Sequence, residues 1–287
     1  MKIGMIGIDT SHCEIFTRLL NDPTDPHHLN GATVTHVLPI YSTDLEISSS
    51  RAEGYLNVLT NKLNVQEVAS IDQLLQNVDA VLVVTVDGRN HLEIIKKIIG
   101  AKKPIFLDKP AVLSVEDMVM IKKLVEKHRT PFMSSSALRF SEAIASLKES
   151  DMQSAYIYGP LPMQAAMPGY FWYGIHMVEL ALSLFPREIL KISREIFREY
   201  ELVEIQFAGG KSVVLRGDFE WHQRFGGVVH SSDTIHTFKL WEEQKPYYAS
   251  LLEEIVQFFK TGISPVSVEE TLRVITVIEE INRQSLK

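Results

Sequence analysis

The 287-residue chain has a single cysteine, Cys13, so no intrachain disulfide can form, and this scarcity fits a reducing compartment. It has no basic excess. Lys and Arg number 29 against 36 Asp and Glu, a formal net charge of −7, which argues against nucleic-acid or anionic-membrane partners. Long apolar runs are also missing. The longest, such as AVLVV, fall far short of the roughly 20 residues a membrane span needs. Asp9 and His12 interrupt the first apolar run before a signal-peptide core forms, so a cytoplasmic location is expected. Internal repeats and low-complexity tracts are absent.

What is present alternates. KIGMIGI (2–8) reads as a compact strand, and SHCEIFTRLLND continues at helical spacing through Ile15, Leu19 and Leu20. ATVTHVLPIY is a second strand, followed by a polar helix from about Asp44 and a short strand near Val65. SIDQLLQN is a short helix with Ser70 as its N-cap. DAVLVVTV has the continuous apolar character of a strand buried on both faces of a parallel sheet. NHLEIIKKIIGAKK is a helix ended by Gly100, and PIFLDKP is a strand with its exit. SVEDMVMIKKLVEKH opens with Ser114 followed by Asp117, a capping-box pattern, and PFMSSSALRF supplies one more strand.

This order predicts an α/β fold: a doubly wound parallel sheet over residues 1–136. From Gln153 to Lys239 the runs SAYIYG, LVEIQFAGG, SVVLRGDFEW and TIHTFKLW, with GG and RGD as turn signals, predict a mostly antiparallel open sheet. One helix near 173–184 interrupts it and two more close the chain. Residues 137–287 therefore read as an α+β domain.

The segment Gly7-Ile8-Asp9-Thr10-Ser11-His12 stands where a dinucleotide-binding domain carries G-x-G-x-x-G. Gly7 supplies the tight turn, whereas Asp9 and His12 replace the glycines that admit the pyrophosphate and close helix packing. An Asp9 carboxylate facing a phosphate at about 4 Å would cost roughly 4 kcal/mol at an effective dielectric near 20. A helix N-terminus returns only about 0.3–2 kcal/mol. If Asp9 instead turns inward to cap the helix amides, Thr10 and Ser11 can still donate to phosphate. Pro39 stands where an acidic residue would meet the ribose, with Tyr41, Ser42 and Thr43 as possible hydroxyl donors.

Several ordered segments resemble the glucose-fructose oxidoreductase and inositol dehydrogenase (Gfo/Idh/MocA) family. FLDKP resembles its E-K-P signature, with Asp108 for glutamate. His91, 17 residues earlier, sits at the family's spacing, and TVDGRNH is an altered form of its T-P-N-x-x-H segment. SSSALRF resembles the lead-in to the second domain, with Arg139 at its arginine. YGIHMVEL resembles G-x-H-x-x-D, with His176 in place and Glu179 for the aspartate, and GISPVSVEETLRVITVIEEI resembles the closing helix. The resemblance implies a Rossmann-type domain joined to an open antiparallel sheet, NAD or NADP as cofactor, and hydride transfer to or from a sugar, polyol or related carbonyl compound. It implies Lys109, His176 and Glu179 as catalytic residues. It implies Gly7, Ile8, Asp9, Thr10, Ser11, His12, Thr85, His91, Asp108 and Lys109 at the cofactor. Family members often associate through the sheet, so a homo-oligomer is expected.

Chemically, Lys109 emerging from a strand at the sheet's carboxyl edge can bond a substrate oxygen, and a neutral His176 can take an alcohol proton. Each also has a structural reading: a solvated lysine before Pro110, and a histidine fixing a helix end. Trp172 stands four residues before His176, where polyol dehydrogenases of the family carry an aspartate. Asp9, His12, Cys13, His27 and His28 lie close in sequence without zinc-like pairing, so no metal is expected. The aromatic run GYFWYG (169–174) can stack on a sugar or pack beneath the sheet, and His230 and His236 read as sheet-face residues. The alternative to an enzyme is a ligand-binding or regulatory protein on the same fold with a decayed cofactor site.

Overall fold

The computed structural model describes residues 1–147 and 151–284, which form two compact units: 1–135 with 252–272, and 136–147 and 151–251 with 273–284. In the first unit β1 (Lys2–Ile6), α1 (Ser11–Asn21), β2 (Thr33–Leu38), α2 (Glu46–Asn61), β3 (Gln66–Glu67), α3 (Ile71–Asn77), β4 (Ala80–Val83), α4 (His91–Ile98), β5 (Ile105–Leu107), α5 (Val115–His128) and β6 (Phe132–Ser134) alternate along the chain. The strands form one parallel sheet in the order β3-β2-β1-β4-β5-β6. This is the Rossmann order. Its central strands are the most apolar, since they are covered on both faces: Ile3, Met5, Ile6 and all of β4 are fully buried. Strand order reverses between β1 and β4, and ligands of such sheets bind beyond the strands' carboxyl ends at that point.

Helix starts follow the local code. Ser70 and Ser114 accept the amides of Gln73 and Asp117 at the starts of α3 and α5. Thr10 caps α1, whose inner face buries His12, Cys13, Phe16, Thr17, Leu19 and Leu20. Ile15 lies only at the margin of that face. Gly100 does not end α4. The chain passes through a 3₁₀ turn over Ile99–Ala101 and stops at Lys102, which takes the left-handed conformation at φ 56°.

The second unit contains α6 (Glu142–Leu147), β7 (Met152–Pro160), α7 (Gly174–Leu184), β8 (Ile189–Ile196), β9 (Tyr200–Phe207), β10 (Lys211–Asp218), β11 (Gly226–Ser231) and β12 (Ile235–Lys239). Its sheet runs β12-β11-β7-β10-β9-β8, antiparallel except for the β7–β10 pair. Strict alternation in β9 and β10 buries every second side chain, and α7, almost wholly apolar, is packed against β7 and β10. Gly209 and Gly210, both at positive φ, turn β9 into β10 as their sequence suggests. RGD does not form a turn: residues 216–218 are the last of β10 and pair with both β7 and β9. Helices α8 (Tyr247–Thr261) and α9 (Val268–Arg283) close the chain and contribute residues to both units. No described helix is long and apolar enough to cross a membrane.

Candidate functional site

Where β1 leaves the sheet, Gly7 takes φ +110°, and a Cβ there would lie 2.5 Å from the Thr85 amide nitrogen. Only glycine fits this turn without moving β1 off β4. The next amide, of Ile8, donates to Ile40 O, continuing the β1–β2 register into the loop. The Ile8 side chain is buried. Thr85, at the end of β4, has a fully buried hydroxyl with no partner.

Asp9 neither faces the mouth of the loop nor caps α1. Its carboxylate is completely buried, accepting the Ser48 hydroxyl of α2 (2.6 Å) and the Val86 amide beyond β4 (2.9 Å). Burial pushes this carboxyl above its ordinary pKa, and the bonds from Ser48 and Val86 with the charge of Arg51 offset only part of that. Arg51 of α2 donates to the Asp9 carbonyl (2.7 Å). The helix end passes to Thr10, whose hydroxyl accepts the His12 amide (3.4 Å) and whose carbonyl accepts the Cys13 amide and thiol. Burial pushes that thiol up to about 12. Ser11, half-buried, opens α1.

His12 turns toward β5. Its Nδ1 pairs with Asp108 Oδ2, while Asp108 Oδ1 accepts the Lys109 amide (2.9 Å). Burial alone would raise the Asp108 carboxyl. The His12 imidazole and Lys109 outweigh it and hold the group below the ordinary carboxylate range. Lys109 is half-buried, and a cis peptide joins it to Pro110. Its ammonium is held below its usual pKa by burial and by Arg51, against the pull of Asp108. His91 is fully buried with both ring nitrogens on main-chain carbonyls, Nδ1 on Pro110 and Ala111 and Nε2 on Thr85, so it ties together the exits of β4 and β5.

At the ribose end the polar groups are already engaged with one another. Ser42 donates to Asp87 (2.6 Å) and accepts from Asn90, its amide donates to Ser48, and Arg89 bridges Asp87 to Asp44. Burial would raise Asp87, but Arg89 and Ser42 carry it below the ordinary value.

The second unit brings His176 and Glu179 together through one residue. His176 Nδ1 lies 2.7 Å from the Ser136 hydroxyl, and Glu179 accepts the Ser136 amide (2.8 Å) and pairs with Arg139 (3.5 Å). All four residues are buried, and the edges of Tyr173 and Phe225 flank the imidazole. Trp172 packs edge-on against Tyr173. Among the described residues no group of three His, Cys, Asp or Glu is arranged to hold a metal ion.

The turn of residues 7–12 fits the pyrophosphate of a dinucleotide. Gly7 makes the close turn, α1 offers its N-terminus, Asp9 keeps its charge inside, and the Thr85 hydroxyl is left over. Residues 1–135 match the model of the Gfo/Idh/MocA oxidoreductase family, described as an NAD-binding Rossmann fold. The match spans the first domain, somewhat under half of the 287-residue chain. The fold of the whole chain is similar to that of scyllo-inositol dehydrogenase from Lactobacillus casei, at 16% identity and a TM-score of 0.79 over 99% of this chain and 95% of that one. It is similar to GenD2 from gentamicin A biosynthesis, solved in complex with NAD (14%, TM-score 0.77, 100% and 94%). An oxidoreductase from Agrobacterium radiobacter, solved with NAD⁺, L-tartaric acid and magnesium, is comparably similar (12%, TM-score 0.75, 100% and 96%). No curated protein sequence matches the chain significantly.

Ser48, Arg51, Asp87 and Ser136 carry no signal in the sequence that marks them for the site. Ser136 lies inside the quoted SSSALRF. Nothing marks Ser48 and Arg51 among the other polar residues of α2, because their partners come from a distant turn.

Proposed function

We propose that the protein is an NAD(P)-dependent oxidoreductase acting on a hydroxyl-bearing carbon of a sugar, a polyol or a related carbonyl compound. The observation that carries this is the inward Asp9. The substitution that should repel a pyrophosphate places its charge on Ser48 and Val86 instead, leaving the helix end usable. The named similarity to an inositol dehydrogenase supports the substrate class. Bound NAD(P) supplies a hydride acceptor or donor at its nicotinamide ring.

Lys109, its ammonium pKa depressed, steadies the substrate oxygen. His176 exchanges the hydroxyl proton, with Ser136 fixing the ring through Nδ1. Glu179 holds the Ser136 main chain and Arg139. Through them it supports the base.

A non-catalytic ligand-binding role is the second reading, favoured by the closed network of Ser42, Asp87, Asn90 and Arg89 at the ribose end. Calorimetric titration with NAD⁺, NADH, NADP⁺ and NADPH separates the two. A Kd of about 100 μM or tighter, roughly −5.5 kcal/mol, supports the oxidoreductase, and no heat from folded protein overturns it. With a substrate found by following absorbance at 340 nm, Lys109→Ala should lower kcat by about 10²–10⁴-fold. Unchanged turnover would remove Lys109 from the mechanism.

A further inference from the structure

We propose that Arg51 is a phosphate-binding side chain of the cofactor turn, supplying from α2 the contact that the backbone provides where residue 9 is glycine. This rests on the reading of the chain as a dinucleotide binder. Arg51 spends Nε on Ile47 O, one turn back in its own helix (2.5 Å), and one Nη2 proton on Asp9 O (2.7 Å). A guanidinium has five N–H donors in a planar fork, and these two bonds fix its plane while using two of them.

The anchored carbonyl belongs to the residue immediately before the α1 cap, so the charge sits at the phosphate end of that helix. The side chain is only half-buried. Its charge is felt by two groups that bracket the turn, Asp9 on the inside and Lys109 at the exit of β5. The Asp9 carboxylate accepts from a hydroxyl and an amide, both neutral donors, and not from the guanidinium. A planar, permanently charged fork beside a helix N-terminus is the arrangement that phosphate oxygens select.

The phosphate has two possible sources, the pyrophosphate shared by NAD and NADP or the 2′-phosphate of NADP alone. Titrations of the full chain with NAD⁺, NADP⁺ and inorganic pyrophosphate distinguish them, using wild type, Arg51→Met and Arg51→Lys, each checked by thermal melting. Arg51→Met should weaken NAD⁺ and NADP⁺ together by about tenfold or more, with Arg51→Lys recovering part of the loss. Weakening of NADP⁺ alone assigns the contact to the 2′-phosphate. If Arg51 merely braces the loop, Arg51→Met melts lower but binds both dinucleotides and pyrophosphate as wild type does, and that result overturns the proposal. Should Arg51→Met not fold, Arg51→Lys decides: shifted affinity in a folded protein supports the contact, and unshifted affinity overturns it. Wild type that binds no dinucleotide overturns this inference and the oxidoreductase reading together, whereas binding untouched by either substitution removes Arg51 only.

Discussion

Two buried carboxylates stand a short way apart along the same sheet edge and behave in opposite ways. Asp9 meets only neutral donors, Ser48 and Val86, and its pKa is pushed up. Asp108 meets an imidazole beside a lysine, and its pKa is pulled down. Burial penalises both anions, so the partner's charge decides the sign. In this turn a carboxylate is accommodated by turning inward to neutral donors, and at the end of β5 another is built into the scaffold by an imidazole turned inward to meet it.

The sharpest way to break this contrast is to remove the imidazole. His12→Ala takes a side-chain partner from the buried Asp108 carboxylate, and losing one partner of a buried ion pair costs up to about 3–5 kcal/mol, readable as a shift in the urea unfolding curve at pH 7. The double variant His12→Ala/Asp108→Leu should recover most of it, because the buried charge is gone. A loss below about 1 kcal/mol in the single variant would mean the pair is not a charged one.

Asp9→Gly should cost less, about 1–3 kcal/mol, by leaving the Ser48 hydroxyl and Val86 amide without their acceptor. The same denaturation experiment measures it. Tighter NAD⁺ binding by that variant would show that Asp9 does obstruct the phosphate and that its inward position is not maintained in solution.

Smaller still is Ser136→Ala. It removes the hydroxyl at His176 Nδ1 and leaves the backbone amide on Glu179, so kcat should fall by about tenfold or less with KM little changed. An equal rise in KM would instead place Ser136 in substrate binding.

The last prediction concerns the shape of a curve. A carboxyl raised in the folded state gains stability as pH falls from that raised value toward its unfolded value near 3.9. Wild type should therefore gain on Asp9→Asn as pH is lowered from 7 toward about 4. Asp108, depressed in the folded state, contributes stability above about pH 4 and loses it as pH falls below, so wild type should converge with Asp108→Asn there. Thermal melts across pH 3–8 test both, and a flat difference for Asp9→Asn would contradict its raised value.

Much of this was legible in the sequence wherever the cause is local. Gly7, the caps at Ser70 and Ser114, and the apolar run of β4 each depend on neighbours within a few residues. The ending of α4 was misplaced because a lysine adopted the left-handed conformation usually left to glycine. RGD looked like a turn and is strand, because β7 and β9 pair with it on both sides, which outweighs local propensity. The destination of Asp9 was out of reach for the same kind of reason. Its partners lie 39 and 77 residues away, and Asp108 lies 96 residues from His12.

The sole cysteine is buried, its thiol donates to Thr10 O, and burial pushes its pKa up to about 12. Such a thiol is inert to maleimides at neutral pH. The wild-type chain is therefore already a blank background for single-site labelling. A fluorophore attached through Tyr41→Cys, on a side chain 42% exposed just beyond β2, would be the only dye on the protein and would report directly on whatever enters beside it.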